Sequence, residues 1–161
     1  MTVNNFNQFK NQTNPTAIKI IKMAEANKFK PSQRIINAII SASNKYKLDP
    51  LELTAIAIIE SGLGKYSRST PNRDGTFDKG LFQINTINQK TCKDYNLDTT
   101  EGSSLCAALL ISRHKRYHKD YLGMYHSKTP SKKQLYLKKI VKVFENNTDK
   151  NNRIIAFTGE K

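Results

Sequence analysis

The stretch LELTAIAIIESGLG, residues 51–64, decides the fold, because it contains an almost wholly apolar helix that ends in a carboxylate. After Thr54 this stretch has no polar residue until Glu60, and a helix that is apolar nearly all round is a buried one. The glycines Gly62 and Gly64 then end the helix. The sequence therefore predicts a mainly α-helical bundle around this buried central helix.

Glu60 is predicted to have a raised pKa. Burial and the negative end of the helix dipole both disfavour the ionised carboxylate. A carboxylic acid that is still protonated near neutral pH can serve as a general acid. A capping or salt-bridged glutamate is the alternative, and position alone favours it; the segments that follow reverse this preference in favour of the acid.

A second informative segment is NRDGTFDKGLFQIN, residues 72–85. Asp74-Gly75 is a turn dipeptide, so the segment is expected to form a small hairpin or loop that returns toward the end of the central helix. This would bring three polar side chains toward Glu60: Asp78, Gln83 and Asn85.

Asp78 would then form a carboxylate pair with Glu60. One carboxyl group in an apolar setting and one in a polar loop are the arrangement that cleaves glycosidic bonds. The alternative for Asp78 is a purely local role, in which it caps the turn leading into Gly80.

The remaining helices follow from capping residues and apolar spacing. They are expected at 15–28, from Pro31-Ser32 to Tyr46, from Ser103 or Ser104 to about Tyr121, and from Pro130 onward, with Tyr136, Ile140, Val143 and Phe144 facing inward. A chain of 161 residues suits one core. We expect an N-terminal helical extension at 1–30, a catalytic domain at 31–145 and a polar tail at 146–161.

Three motifs carry a family resemblance. Residues 46–50 with the helix ending in Glu60-Ser61-Gly62 resemble the opening motif of bacterial lytic transglycosylases of the soluble murein transglycosylase type. Residues 80–85, GLFQIN, resemble their second motif. Residues 123–127, GMYHS, resemble the third, in a form common among the transglycosylases of secretion and conjugation systems. Together they span roughly residues 35 to 143 in the family's order.

The resemblance implies a lysozyme-like α+β fold and a set of glycan contacts. It places Gln83 and Asn85 in the glycan cleft and Tyr125 near Glu60, where its hydroxyl would orient the carboxylate. Ser61 would hold the glutamate or the substrate N-acetyl group, with local helix capping as the alternative.

The segment from Asp78 to Asn85 is also similar to a stretch of animal c-type lysozymes, in which the aspartate is the second catalytic carboxylate. It implies that Asp78 stabilises oxocarbenium charge or orients the N-acetyl group. The chain departs from the transglycosylase pattern in two places. Residues 101–110 lack the usual asparagine, and His126 replaces the commoner asparagine after the tyrosine, so the glycan contacts there are open.

The activity implied is peptidoglycan cleavage between N-acetylmuramic acid and N-acetylglucosamine, with formation of a 1,6-anhydro product and local opening of the cell wall. A hydrolytic lysozyme on the same fold is the alternative, and a non-catalytic basic wall-binding module is a third reading. No cofactor and no metal site are expected, since His114 and His118 on one helix have no third ligand.

The formal net charge of +14 indicates a polyanionic partner. Residues 105–142 contain ten Lys and Arg but one acidic residue, Asp120. Wall carboxylates and phosphates fit this charge. No nucleic-acid partner is expected, because no zinc-finger spacing, RNA-binding signature or helix-turn-helix pattern is present. Further partners suggested by the resemblance are a secretion or conjugation apparatus or phage virion components.

Location is left open by the sequence. No apolar run is long enough for a membrane span, and the first ten residues lack the apolar core of a secretory signal. The chain is expected to act in the periplasm or cell wall as a mature form, to be a phage protein that is released or virion-associated, or to be exported without a cleaved signal. A disulfide between Cys92 and Cys106 would fit an extracytoplasmic setting, and two buried free thiols would fit a cytosolic phage product.

Overall fold

The computed structural model describes residues 14–66 and 71–147. Within these ranges the chain is mainly helical, as predicted. The α-helices are α1 (Pro15–Ala26), α2 (Gln33–Tyr46), α3 (Pro50–Ser61), α4 (Thr100–Tyr117), α5 (Tyr121–His126) and α6 (Pro130–Asn146). Two short strands, β1 (Asp78–Lys79) and β2 (Ile84–Asn85), pair antiparallel, and a 3-10 helix, Thr86–Asn88, follows them.

Helix α3 is the buried central helix that the sequence predicts. Asp49 caps its first turn by accepting a hydrogen bond from the Leu51 amide at 2.9 Å. Its side chains from Leu53 to Ala57 are fully buried among α1, α2 and α6. Each large aliphatic side chain buried in this way contributes about 1.5–3 kcal/mol relative to exposure. Gly62 ends the helix in the left-handed conformation, at φ +56°.

Helix α1 belongs to the same hydrophobic core. Its side chains Ala17, Ile20, Met23 and Ala24 are all fully buried, and the helix ends at Ala26, slightly before the predicted 28. The division of the chain at residue 30 stays a prediction. Most of the predicted tail at 146–161 lies outside the described residues.

Helix α4 differs from its predicted bounds at both ends. It begins at Thr100 rather than at Ser103 or Ser104, because the Thr99 hydroxyl accepts a hydrogen bond from the Gly102 amide and caps the helix earlier. It ends at Tyr117, after which the short α5 begins at Tyr121 as a separate element.

The predicted turn at Asp74-Gly75 is confirmed. The Gly75 amide donates to the Asn72 carbonyl at 3.0 Å, and Gly75 has φ +79°. The hairpin beyond it aligns Asp78 with Asn85 across the two strands. The turn thus returns the chain beside the end of α3, as the sequence analysis expects.

Cys92 and Cys106 are joined by a disulfide, with Cα atoms 5.5 Å apart. Cys92 lies in the loop after the 3-10 helix and Cys106 on α4, so the bond ties the hairpin region to the helical core. Both side chains are buried. Within residues 14–66 and 71–147, no helix combines the length and the apolar content that a membrane crossing requires.

Replacing both cysteines, as Cys92→Ala/Cys106→Ala, should lower the free energy of unfolding by about 3 kcal/mol, because the loop that the disulfide closes in the unfolded chain is lost. Urea denaturation with and without a reductant measures this. The reductant should destabilise the wild type and leave the double variant unchanged; equal stability of the wild type in both conditions would contradict the structural role of the bond.

Candidate active site

Glu60 lies on the last turn of α3, and its carboxylate is held by a tyrosine from the last described helix. The Tyr136 hydroxyl, on α6, donates to Glu60 Oε1 at 2.6 Å. Tyr136 is itself buried. The sequence analysis assigns Tyr136 to the apolar face of its helix and misses this contact, because a core tyrosine and a tyrosine that faces a carboxylate have the same helical spacing.

The surroundings of Glu60 raise its pKa to about 7. Burial is the largest cause, since it penalises the charged form. The hydrogen bond from Tyr136 and the charge of Lys139 act in the opposite direction, and the negative charge of Asp78 raises the pKa further. Burial outweighs the stabilising contacts, so a large fraction of Glu60 stays protonated at near-neutral pH.

Asp78 lies on β1, close enough to Glu60 for the two carboxylates to interact. Its Oδ1 accepts a hydrogen bond from Asn85 Nδ2 at 3.1 Å. The same Asn85 amide group donates to Thr76 Oγ1 at 2.8 Å, and the Asn85 side-chain oxygen accepts from the Ile87 amide. Asn85 is thus fully engaged within the hairpin, where it orients Asp78.

The turn between the strands, residues 80–83, is fixed by three hydroxyl groups. Ser61 Oγ of α3 donates to the Leu81 carbonyl at 2.6 Å. Ser103 Oγ of α4 accepts from the Phe82 amide at 3.1 Å, and the Tyr125 hydroxyl of α5 donates to the Phe82 carbonyl at 2.8 Å. The turn is therefore attached to three helices.

These contacts differ from the expected contact of the Tyr125 hydroxyl and give Ser61 local partners. The hydroxyl of Tyr125 orients the turn, and the hydroxyl that contacts Glu60 is that of Tyr136. Ser61 is buried, and its oxygen also accepts from the Gly64 amide at 2.9 Å. These are contacts of the local kind that the alternative role describes, and a contact between Ser61 and the substrate stays a prediction.

Gly80 is required by the close packing of this turn. It has φ +71°, and a Cβ at this position would lie 2.3 Å from the Leu97 carbonyl oxygen. Gln83 closes the turn at φ +45° and donates from Nε2 to the Gly80 carbonyl at 2.9 Å. Its side chain is half-buried beside the hairpin.

His126, which departs from the commoner family residue, stacks on the ring of Tyr136, with centroids 4.6 Å apart and planes 4° from parallel. Burial and then the charges of Lys139 and Lys132 lower the pKa of His126. A neutral imidazole therefore covers the tyrosine that holds Glu60. In the described part of the chain, no group of three or more His, Cys, Asp or Glu side chains is placed to bind a metal.

The pKa of Glu60 has a consequence for folding. The folded protein holds a proton between about pH 4.5 and 7 that the unfolded chain releases, so stability falls as pH rises through this window. Relative to Glu60→Gln, the wild-type free energy of unfolding should fall by on the order of 3 kcal/mol, at about 1.4 kcal/mol per pKa unit. Urea denaturation across this range measures the difference; parallel profiles for the two proteins would contradict the raised pKa.

Comparison with known proteins agrees with this geometry. Residues 37–127, more than half of the chain, match the family model for the transglycosylase SLT domain. Neither the curated proteins nor the solved structures give a match. The matched range includes Glu60, Asp78 and the hydroxyls that fix the turn, whereas α6 with Tyr136 lies beyond it. The chain belongs to the transglycosylase SLT domain family, whose lysozyme-like domains act on peptidoglycan.

Proposed function

We propose that the protein is a lytic transglycosylase that cleaves the β-1,4 bond between N-acetylmuramic acid and N-acetylglucosamine and forms 1,6-anhydro-N-acetylmuramic acid. The observation that carries this proposal is Glu60, a carboxyl group with a pKa of about 7 at the end of a buried helix. An acid with this pKa can donate a proton and take it back within one catalytic cycle.

The reaction proceeds in two proton transfers. Glu60 gives its proton to the glycosidic oxygen as the bond from that oxygen to muramoyl C1 breaks. The muramoyl 6-hydroxyl then attacks C1, and the Glu60 carboxylate accepts the hydroxyl proton. The acid is restored, and no water is consumed.

Tyr136 positions the acid in this scheme. Its hydroxyl donates to Glu60 Oε1, so the transferable proton resides on Oε2. The stacked ring of His126 and the burial of Tyr136 hold that hydroxyl in place. The hydrogen bond also stabilises the carboxylate that forms after the first proton transfer.

Asp78 supplies negative charge to the same cleft. Positive charge develops at C1 as the glycosidic bond breaks, and a fixed carboxylate stabilises it more strongly where water is scarce. Asn85 holds Asp78 in its orientation. Gln83, half-buried at the turn, is proposed to contact the glycan.

Asp78 also supports a second candidate, hydrolysis by a lysozyme-type mechanism. A second carboxylate in the cleft is what hydrolysis requires in addition to the acid. The two reactions differ in product, since hydrolysis gives a reducing muramoyl end and the transglycosylase route gives an anhydro end that is lighter by one water.

The setting proposed is extracytoplasmic. Peptidoglycan lies outside the cytoplasmic membrane, and the disulfide between Cys92 and Cys106 favours an oxidising compartment. The net charge of +14 suits attraction to wall polyanions. Local wall opening for a secretion or conjugation apparatus is the role that the Tyr-His-Ser form of the third motif suggests, and a phage-encoded protein is the alternative.

Glu60→Gln should abolish the release of muropeptides from purified sacculi, because it removes the transferable proton and keeps the shape of the side chain. Mass spectrometry of the released products measures this and separates anhydro from reducing ends. The control is Glu25→Gln, an exposed glutamate on α1, which should retain full activity. A Glu60→Gln protein with a tenth of the wild-type rate would refute the general-acid role.

Asp78→Asn should lower turnover by roughly ten- to a thousandfold, the usual range for loss of one electrostatic contact. The amide oxygen can still accept from Asn85, so the hairpin should remain folded. Asp94→Asn, at an exposed position before α4, is the matched control. Turnover near that of the wild type, with or without a lower melting temperature, would assign Asp78 to the turn instead.

A further inference from the structure

A groove of about 660 Å³ lies along α6, and its lining includes two neighbours of Glu60 but not Glu60 itself. Ile59, the residue before Glu60, and Tyr136, which holds its carboxylate, both line this groove. Its size falls in the range of about 300–1,000 Å³ that is typical of small-ligand sites. The groove therefore adjoins the candidate active site through Tyr136 and His126.

Four lysines line the groove: Lys132, Lys138, Lys139 and Lys142. In the described part of the chain, none of the four pairs with a carboxylate, whereas Arg34, Lys79 and Lys133 each do so elsewhere. Two of these lysines lie close enough to the site for their charges to affect it. The charge of Lys139 lowers the pKa of both Glu60 and His126, and the charge of Lys132 lowers that of His126. This charge is available to an anionic ligand.

The glycan backbone offers these lysines no negative charge, because its sugars and N-acetyl groups are neutral. The anionic part of peptidoglycan is the stem peptide, which is attached through the lactyl group at C3 of each muramic acid and bears free carboxylates. In the proposed reaction the muramoyl residue whose C1 reacts lies at Glu60, and its stem peptide is the anionic group attached to that same sugar. The groove beside Tyr136, which holds Glu60, is the nearby surface whose charge suits this peptide. Leu135, also in the lining and largely exposed, offers the peptide an apolar contact.

We propose that this lysine groove binds the carboxylates of the stem peptide carried by the muramoyl residue at Glu60. The inference rests on the proposed function. It makes the protein selective for peptide-bearing glycan over glycan stripped of its peptides. A phosphate-bearing wall polymer also has suitable charge, and it enters as an outcome of the test.

Binding can be measured without turnover in the Glu60→Gln background. The two ligands are a peptidoglycan tetrasaccharide with its stem peptides and the same tetrasaccharide after an amidase has removed them. Titration calorimetry at low salt gives the Kd of each. Lys138→Gln/Lys142→Gln should raise the Kd of the peptide-bearing ligand about five- to tenfold, as expected for two exposed charge pairs. It should change the Kd of the peptide-free ligand less than twofold.

Lys19→Gln/Lys22→Gln is the matched control, because it removes the same charge from exposed positions on α1 that do not line the groove. It should leave both Kd values unchanged. An equal rise for both ligands in the groove variant, or no rise for either, would overturn the proposal. So would no measurable binding of the peptide-bearing ligand, or lysine-dependent binding of a purified glycerol phosphate polymer that is tighter than binding of the peptide-bearing ligand.

The two proposals fail separately. If the protein with Glu60 intact releases no product from sacculi while the peptide-dependent difference in Kd holds, the lytic function is wrong and the peptide site stands. If products are released and the groove variant binds both ligands as its parent does, the function stands and the peptide site is wrong.

Discussion

Three side-chain hydroxyls hold the backbone of residues 81 and 82 against three different helices, and the geometry of the site depends on this attachment. Ser61, Ser103 and Tyr125 come from α3, α4 and α5. Asp78 precedes this turn and Asn85 follows it, so the attachment of the turn also fixes where these two residues lie. A two-stranded sheet of this size has little stability of its own. The hydrogen bonds of the three hydroxyls hold it in place against the helices.

The opposing effects on Glu60 show how the fold adjusts one carboxyl group. Burial at the end of α3 favours the protonated form, and the nearby Asp78 adds to this preference. Tyr136 and Lys139 stabilise the ionised form, so Glu60 can lose its proton near neutral pH although the protonated form predominates at lower pH. A site with burial alone would hold the proton too firmly to release it, and one with full compensation would lose the proton at neutral pH.

The sequence predicted the parts of this structure that depend on local pattern. The apolar run of α3, its end at Gly62 and the Asp74-Gly75 turn are each encoded within a few residues. What it did not predict are contacts between distant segments. Tyr136 has the spacing of a core residue, and only the packing of α6 against α3 brings its hydroxyl to Glu60. The sequence predicts that Ser103 or Ser104 begins a helix, whereas Thr99 caps this helix about one turn earlier and leaves the Ser103 hydroxyl to bind the turn.

The hydrogen bond between Glu60 and Tyr136 joins residues 76 apart in sequence, and this separation affects the order in which the molecule is completed during synthesis. A nascent chain that ends before Pro130 already contains both carboxylates and the serines that fix the turn. It lacks Tyr136, which donates a hydrogen bond to Glu60, and it lacks the residues of α6 that line the lysine groove. Because a domain generally folds as a unit during synthesis, the acid acquires its final environment only when the last described helix is available to pack against α3.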